Sequence, residues 1–163
     1  MSEFQPHKRT TAPSTIGGSR PRAPTVALRW VLTASVLTAG ATHLYLWANG
    51  YRELPTIGSL FLLNFAASIL TPAMVATTSR VLGYVFALAF GASTILAFLM
   101  SVTIGISGFK EVLLGPAQET AGGAELIVVF LGAWLVARSL RATRTQRRQA
   151  DSPPGEQPLR RAS

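Results

Sequence analysis

Apolar residues run through the middle of this chain in four long stretches, and polar ones are swept to its two ends and three intervals. A helix that crosses a hydrocarbon core of about 30 Å needs about 20 residues at 1.5 Å rise each. Windows of that length, almost free of charge, predict helices over 28–47, 56–76, 81–104 and 121–140. Pro55 stands just before the second, where a missing N–H costs nothing because the first turn has no partner for it. The third is the longest and can tilt to fit the bilayer. Soluble core helices of this length, joined by intervals this short, would have no polar face to give to water. The first stretch exceeds the apolar length of a secretory signal and has no small-x-small site after it, so it reads as an uncleaved anchor.

The polar ends complete the domain plan. Residues 1–24 and 142–163 are rich in Pro, Ser, Thr, Gly, Gln and Arg, with few large apolar groups to order them. The expected organisation is therefore an all-α polytopic membrane protein. It has a four-transmembrane-helix bundle over 25–141 and disordered basic cytoplasmic tails at 1–24 and 142–163. Composition agrees, since 163 residues that are 48% hydrophobic and 13% charged carry too few charges to coat a soluble globule. The formal charge of +8 would suggest nucleic acid in a soluble protein, but that reading needs a soluble basic face, and no nucleic-acid partner is expected. The absence of cysteine removes disulfides, thiolate metal sites and cysteine nucleophiles together.

Charge distribution then sets an expected orientation. Thirteen of the fifteen Lys and Arg fall on the two tails, Arg29, the interval holding Arg80 and the end of the fourth stretch at Arg138 and Arg141, against Arg52 and Lys110 in the other intervals. By the positive-inside rule both termini face the cytoplasm of a multi-pass plasma-membrane protein. With the acidic residues counted, the inner side is +10 and the outer side −2. The run from Arg138 to Arg148 can extend the fourth helix along anionic lipid headgroups, at about 1 kcal/mol per cation near the surface. A plain topology determinant with a solubilising tail explains the same residues.

Lipid gives helices no hydrophobic drive to associate, so small side chains that allow close approach take its place. Gly83, Ala87 and Gly91 recur every four residues. Ser93, Ala97 and Ser101, with Ala89 and Gly105, continue a neighbouring row. These rows predict that the third helix lies at the bundle centre or at a face for a homo-oligomer or larger membrane complex. Pro72 removes the partner of the Ser68 carbonyl, which the Thr71 hydroxyl or another helix is expected to take.

Polar groups within the spans are where function is expected, because each is costly to keep there. His43 and Glu125 fall in the outer parts of their helices and Asn64 near the middle of the second, and Arg52, Glu53, Lys110 and Glu111 surround their mouth. His43 and Glu125 make either a proton-accepting or ligand-binding pair, or a hydrogen bond that holds the first and fourth helices together. Lys110 or Glu111 is expected to pair with Glu53 or Arg52, for about 0–1 kcal/mol if exposed. His43 is the only histidine in a span, so a single chain cannot build a bis-histidine haem site, although two copies could. No metal motif, phosphate loop or nucleophile triad is present, and the sequence predicts no metal, no cofactor and no enzyme activity.

The runs His43-Leu44-Tyr45-Leu46-Trp47, Gly50-Tyr51-Arg52, Pro55-Thr56-Ile57-Gly58, Leu60-Phe61-Leu62-Leu63-Asn64 and Gly108-Phe109-Lys110-Glu111 resemble a family of small four-transmembrane-helix actinobacterial membrane proteins. The resemblance spans roughly residues 28–140 and implies membrane location and the four-span plan, but no activity. The expected function is a small accessory or scaffold component of the plasma membrane. The alternative is an oligomeric transporter or a proton- or redox-coupled component built on the outer polar cluster.

Overall fold

The computed structural model describes residues 23–111 and 115–151. Four helices make up almost all of it: α1 (Ala23–Ala48), α2 (Pro55–Thr77), α3 (Arg80–Thr103) and α4 (Pro116–Asp151), with a 3-10 turn at Tyr51–Glu53. Each is long and apolar enough to cross a membrane. The expectations for residues 1–22 and 152–163 lie outside the described residues.

Helix ends follow local chemistry rather than the limits of the apolar windows. α2 opens with Pro55 in its first turn. It stops where the Thr78 N–H and hydroxyl both bond the Met74 carbonyl, and Ser79 then caps α3 by accepting from the Leu82 N–H. The Arg29 guanidinium donates to the Val75 carbonyl at 2.8 Å, so a residue counted for its charge also ties α1 to the end of α2. α2 continues through Pro72. The Thr71 hydroxyl bonds Ala67 and not the Ser68 carbonyl it was expected to satisfy, because a threonine in a helix reaches its own i−4 oxygen first.

The largest departure is at α4. Residues 142–151, assigned to a disordered tail by composition although the run to Arg148 can also extend the helix, continue it to Asp151. Ala, Arg and Gln are strong helix formers, and no Gly or Pro interrupts the chain before Pro153. Low hydrophobicity at these positions excludes a core, but it does not exclude a helix already nucleated by the packed part of α4.

The bundle closes as a ring: α1 packs on α2, α2 on α3, α3 on α4 and α4 on α1. α1 and α3 touch across one diagonal, whereas α2 and α4 do not meet. α3 therefore stands at a corner rather than at the bundle centre, the first of the two places expected for it. α1 turns Leu32, Ser35, Val36, Ala39, His43 and Leu46 inward, a stripe at three- and four-residue spacing. Val75, Tyr84, Ala87, Phe90, Ala124, Val128 and Leu135 join it in the core. Large apolar side chains such as Trp30, Leu70 and Phe130 point outward, the arrangement of a bundle whose surroundings are themselves apolar.

The two small-residue rows on α3 have different fates. Gly83, Ala87 and Gly91 are buried, as the packing role requires. A Cβ at Gly91 would stand 3.0 Å from Val128 and 3.2 Å from the Glu125 carbonyl, and one at Gly83 would stand 2.8 Å from the Val75 Cα. The first row is thus spent on α4 and the end of α2. Ser93 and Ala97 do not pack on a helix; with Ser101 they line a cavity between α2 and α3. Ser101 is buried, and its carbonyl accepts the Glu111 N–H. The rows diverge because a 3.6-residue period turns neighbouring stripes towards different partners.

Candidate functional site

The cavity between α2 and α3 reaches in towards α1 and α4 at the Tyr51–Glu53 end of the bundle and has a volume of about 610 Å³. That falls within the range of about 300–1,000 Å³ usual for small-molecule sites. It exists because α2 and α4 stay apart across their diagonal while small side chains on α3 leave the intervening space unfilled.

His43 and Glu125 form its inner wall. The sequence places His43 one turn after Ala39, and its Nδ1 lies 2.8 Å from the Ala39 carbonyl. A carbonyl can only accept, so Nδ1 carries a proton and Nε2 faces away from α1. Nε2 lies 3.7 Å from Glu125 Oε1, with both residues buried. The Phe61 ring meets the imidazole edge-on at 5.0 Å and fixes its plane. Glu125 reaches this position because Gly91 has no side chain where α4 crosses α3. It is 2% exposed, and its Oε1 has no hydrogen-bond partner among the described residues.

Asn64 enters from α2. Its amide donates to the Thr94 hydroxyl at 2.7 Å, and that hydroxyl donates to the Phe90 carbonyl. The amide oxygen, Oδ1, is buried without a partner. Nearer the loops, the Tyr51 hydroxyl donates to Glu111 Oε2 at 2.6 Å and accepts from the Gln118 amide at 3.1 Å. Burial first, then the bond to Glu111, pushes the Tyr51 phenol up to about 12, so it stays a donor at neutral pH. Its ring packs on Phe61 and Phe109. Gln118 also caps α4 by accepting from the Gly115 N–H. Tyr51, Phe109, Glu111 and Gln118 border a second, outer cleft of about 370 Å³ as well, so this cluster stands between the two spaces.

The seven polar residues expected to gather here divide into two groups. His43, Asn64, Glu111 and Glu125 line the cavity; Arg52, Glu53 and Lys110 do not. Arg52 pairs with its neighbour Glu53 at 2.9 Å in solvent, and Glu111 is taken by Tyr51, which replaces the expected pairing across the loops. Adjacent residues in a tight turn meet more easily than residues on separate loops. Gln118 and Thr94 were not anticipated. Gln118 stands seven residues, two helical turns, before Glu125 and so shares its face, a spacing visible in the sequence. Among the described residues no three His, Asp or Glu side chains come together as a metal would require.

No protein-family model, curated protein or solved structure matches the chain.

Proposed function

We propose that this chain is a four-span plasma-membrane protein with both termini in the cytoplasm, and that it acts as a proton-coupled binding component, a small transporter or part of one. The observation that carries the reading is the buried Glu125 beside His43, with an oxygen free of hydrogen bonds at the wall of a cavity. An ionised carboxylate alone in hydrocarbon is costly, and so is an imidazolium alone. A single proton shared between Nε2 and the carboxyl leaves the pair neutral overall, whichever group holds it. Such a pair takes up and releases a proton without leaving two buried charges of one sign.

The reading expected first from the sequence, an accessory or scaffold component, draws on association through α3 and its Gly83, Ala87 and Gly91 row. That row packs within the chain, on α4 and the end of α2. Binding and proton movement need only these groups and the space they border. The protein's other partners are the lipid bilayer and, along Arg138, Arg141, Arg144 and Arg147, anionic headgroups at the cytoplasmic face. Assembly as a homo-oligomer or in a larger complex remains part of the proposal, through faces other than this row.

Infrared difference spectroscopy of the protein in lipid nanodiscs, titrated with pH, tests it. A carboxyl band and imidazole bands should change together in one step, and Glu125→Gln and His43→Ala should each abolish the joint change. A joint change that persists in Glu125→Gln, or none at any pH, would sink the proposal.

A further inference from the structure

The shape and charge of the same cavity say what it is suited to hold, an inference that rests on the proton-coupled reading above. We propose that it binds a lipophilic monocation, which enters sideways between α2 and α3 and exchanges for the one proton held by His43 and Glu125.

The entrance is lateral. Leu63 on α2 and Phe86 on α3 line the cavity, yet are 64% and 43% exposed on the outside of the bundle. A wall built of residues that also face outward is a slot, and Ser93 and Ala97 are too small to close it. Towards the loops, the hydrogen-bonded Tyr51, Glu111 and Gln118 stand across the way to the outer cleft. A ligand thus reaches the polar wall through apolar surroundings, which selects for a lipophilic molecule.

The charge of the lining selects its sign. Two carboxyl groups, Glu111 and Glu125, and one imidazole border the space, and among the described residues no Lys or Arg does. Arg52 and Lys110, the cations nearest in sequence, are exposed, and Arg52 is engaged by Glu53. An anion here would meet two carboxyls and no counter-charge. A cation meets Glu125, and the Phe61, Phe90 and Tyr51 side chains line the same space, where an aromatic ring can attract a cation by about 0.5–2 kcal/mol.

Exchange follows from conserving the buried charge. With one proton, the His43–Glu125 pair is neutral; a monocation beside the carboxylate restores neutrality only if that proton leaves to solvent. The other titratable groups facing the pair's cavity are Tyr51 and Glu111, and α2 and α3 contribute none. Tyr51 keeps its proton at neutral pH, so it does not supply the one released.

Tetraphenylphosphonium and tetraphenylborate, ions of one shape and opposite charge, test this on the full chain in nanodiscs. Phosphonium binding should release about one proton per ion and weaken by up to about tenfold per pH unit on the acid side. Glu125→Gln should weaken it about tenfold or more and end the release. Ala97→Phe, which fills the slot from α3, should reduce binding while the joint infrared change of the pair survives. That survival shows the fold intact. Equal binding of the borate, or phosphonium binding unaltered by Glu125→Gln, overturns the proposal. Absence of phosphonium binding with the infrared change present overturns the ligand class alone; absence of both overturns the proton-coupled reading as well.

Discussion

His43 is tied to the Ala39 carbonyl through Nδ1, and that contact decides which nitrogen is left for Glu125. The three residues at the polar wall are legible in sequence because His, Asn and Glu are conspicuous against apolar neighbours. Thr94 and Gln118 were not, since hydroxyls and amides are common in helices and mostly bond their own backbone. Tyr51 lies between these cases, marked in the sequence only as part of the Gly50-Tyr51-Arg52 run and not as the partner of Glu111. Tyr51→Phe removes a donor to one side chain and an acceptor for another, and should destabilise the protein by about 1–3 kcal/mol, read as a lower midpoint of thermal unfolding in detergent. The same residue gives a pH dependence whose sign is fixed. Its phenol is raised from 10.0 to about 12 in the folded chain, so the folded state holds the proton more tightly than the unfolded one. Its contribution is complete below pH 10.0 and is lost as pH rises towards about 12. The difference in unfolding midpoint between wild type and Tyr51→Phe should therefore shrink over that interval.

At the scale of elements, the helices were predictable and their ends less so. Hydropathy windows measure what can sit in hydrocarbon, while a helix continues until a cap or a breaker stops it. α4 shows the difference, running through its arginines to Asp151 with the Arg138 guanidinium stacked over Trp134 at 5.2 Å. The glycines separate into those that permit a contact and those that do not. Gly83 faces the α2 backbone, which cannot yield, so Gly83→Ala should cost roughly 1–3 kcal/mol. Gly123 has nothing within 4 Å of a new Cβ, so Gly123→Ala should stabilise by up to about 1 kcal/mol through helix propensity alone. Opposite shifts in thermal midpoint for one and the same substitution are the expected result; shifts of the same sign would contradict this assignment of the two faces.

For the whole molecule, the closed ring of helices puts the Tyr51–Glu53 turn and the loop after α3 at one end, and the α2–α3 turn and the extended part of α4 at the other. The cations follow the same division, and on that basis the proposed topology predicts the outcome of reporter fusions. Fusions at Glu53 and after Gly115 should report the outer side, and one after Arg141 the cytoplasm; a cytoplasmic signal at either of the first two would invert the orientation. The α4 extension adds a rigid basic arm of about 16 Å beyond Leu140, at 1.5 Å per residue.

What the sequence determined by itself was the number of helices, the apolar stretch within each and which of their ends carry most of the cations. Those properties depend on local hydropathy and on charge, and both are additive along the chain. It also marked His43, Asn64 and Glu125 as the costly residues. Tertiary structure alone decided that the His43–Glu125 pair borders a cavity, that Glu111 belongs to Tyr51, and that one small-residue row on α3 seals a helix contact while the next lines that cavity. The reason is geometric. Two stripes a fraction of a turn apart look alike in sequence, and only the positions of α2 and α4 fix which stripe finds a neighbour and which is left facing open space.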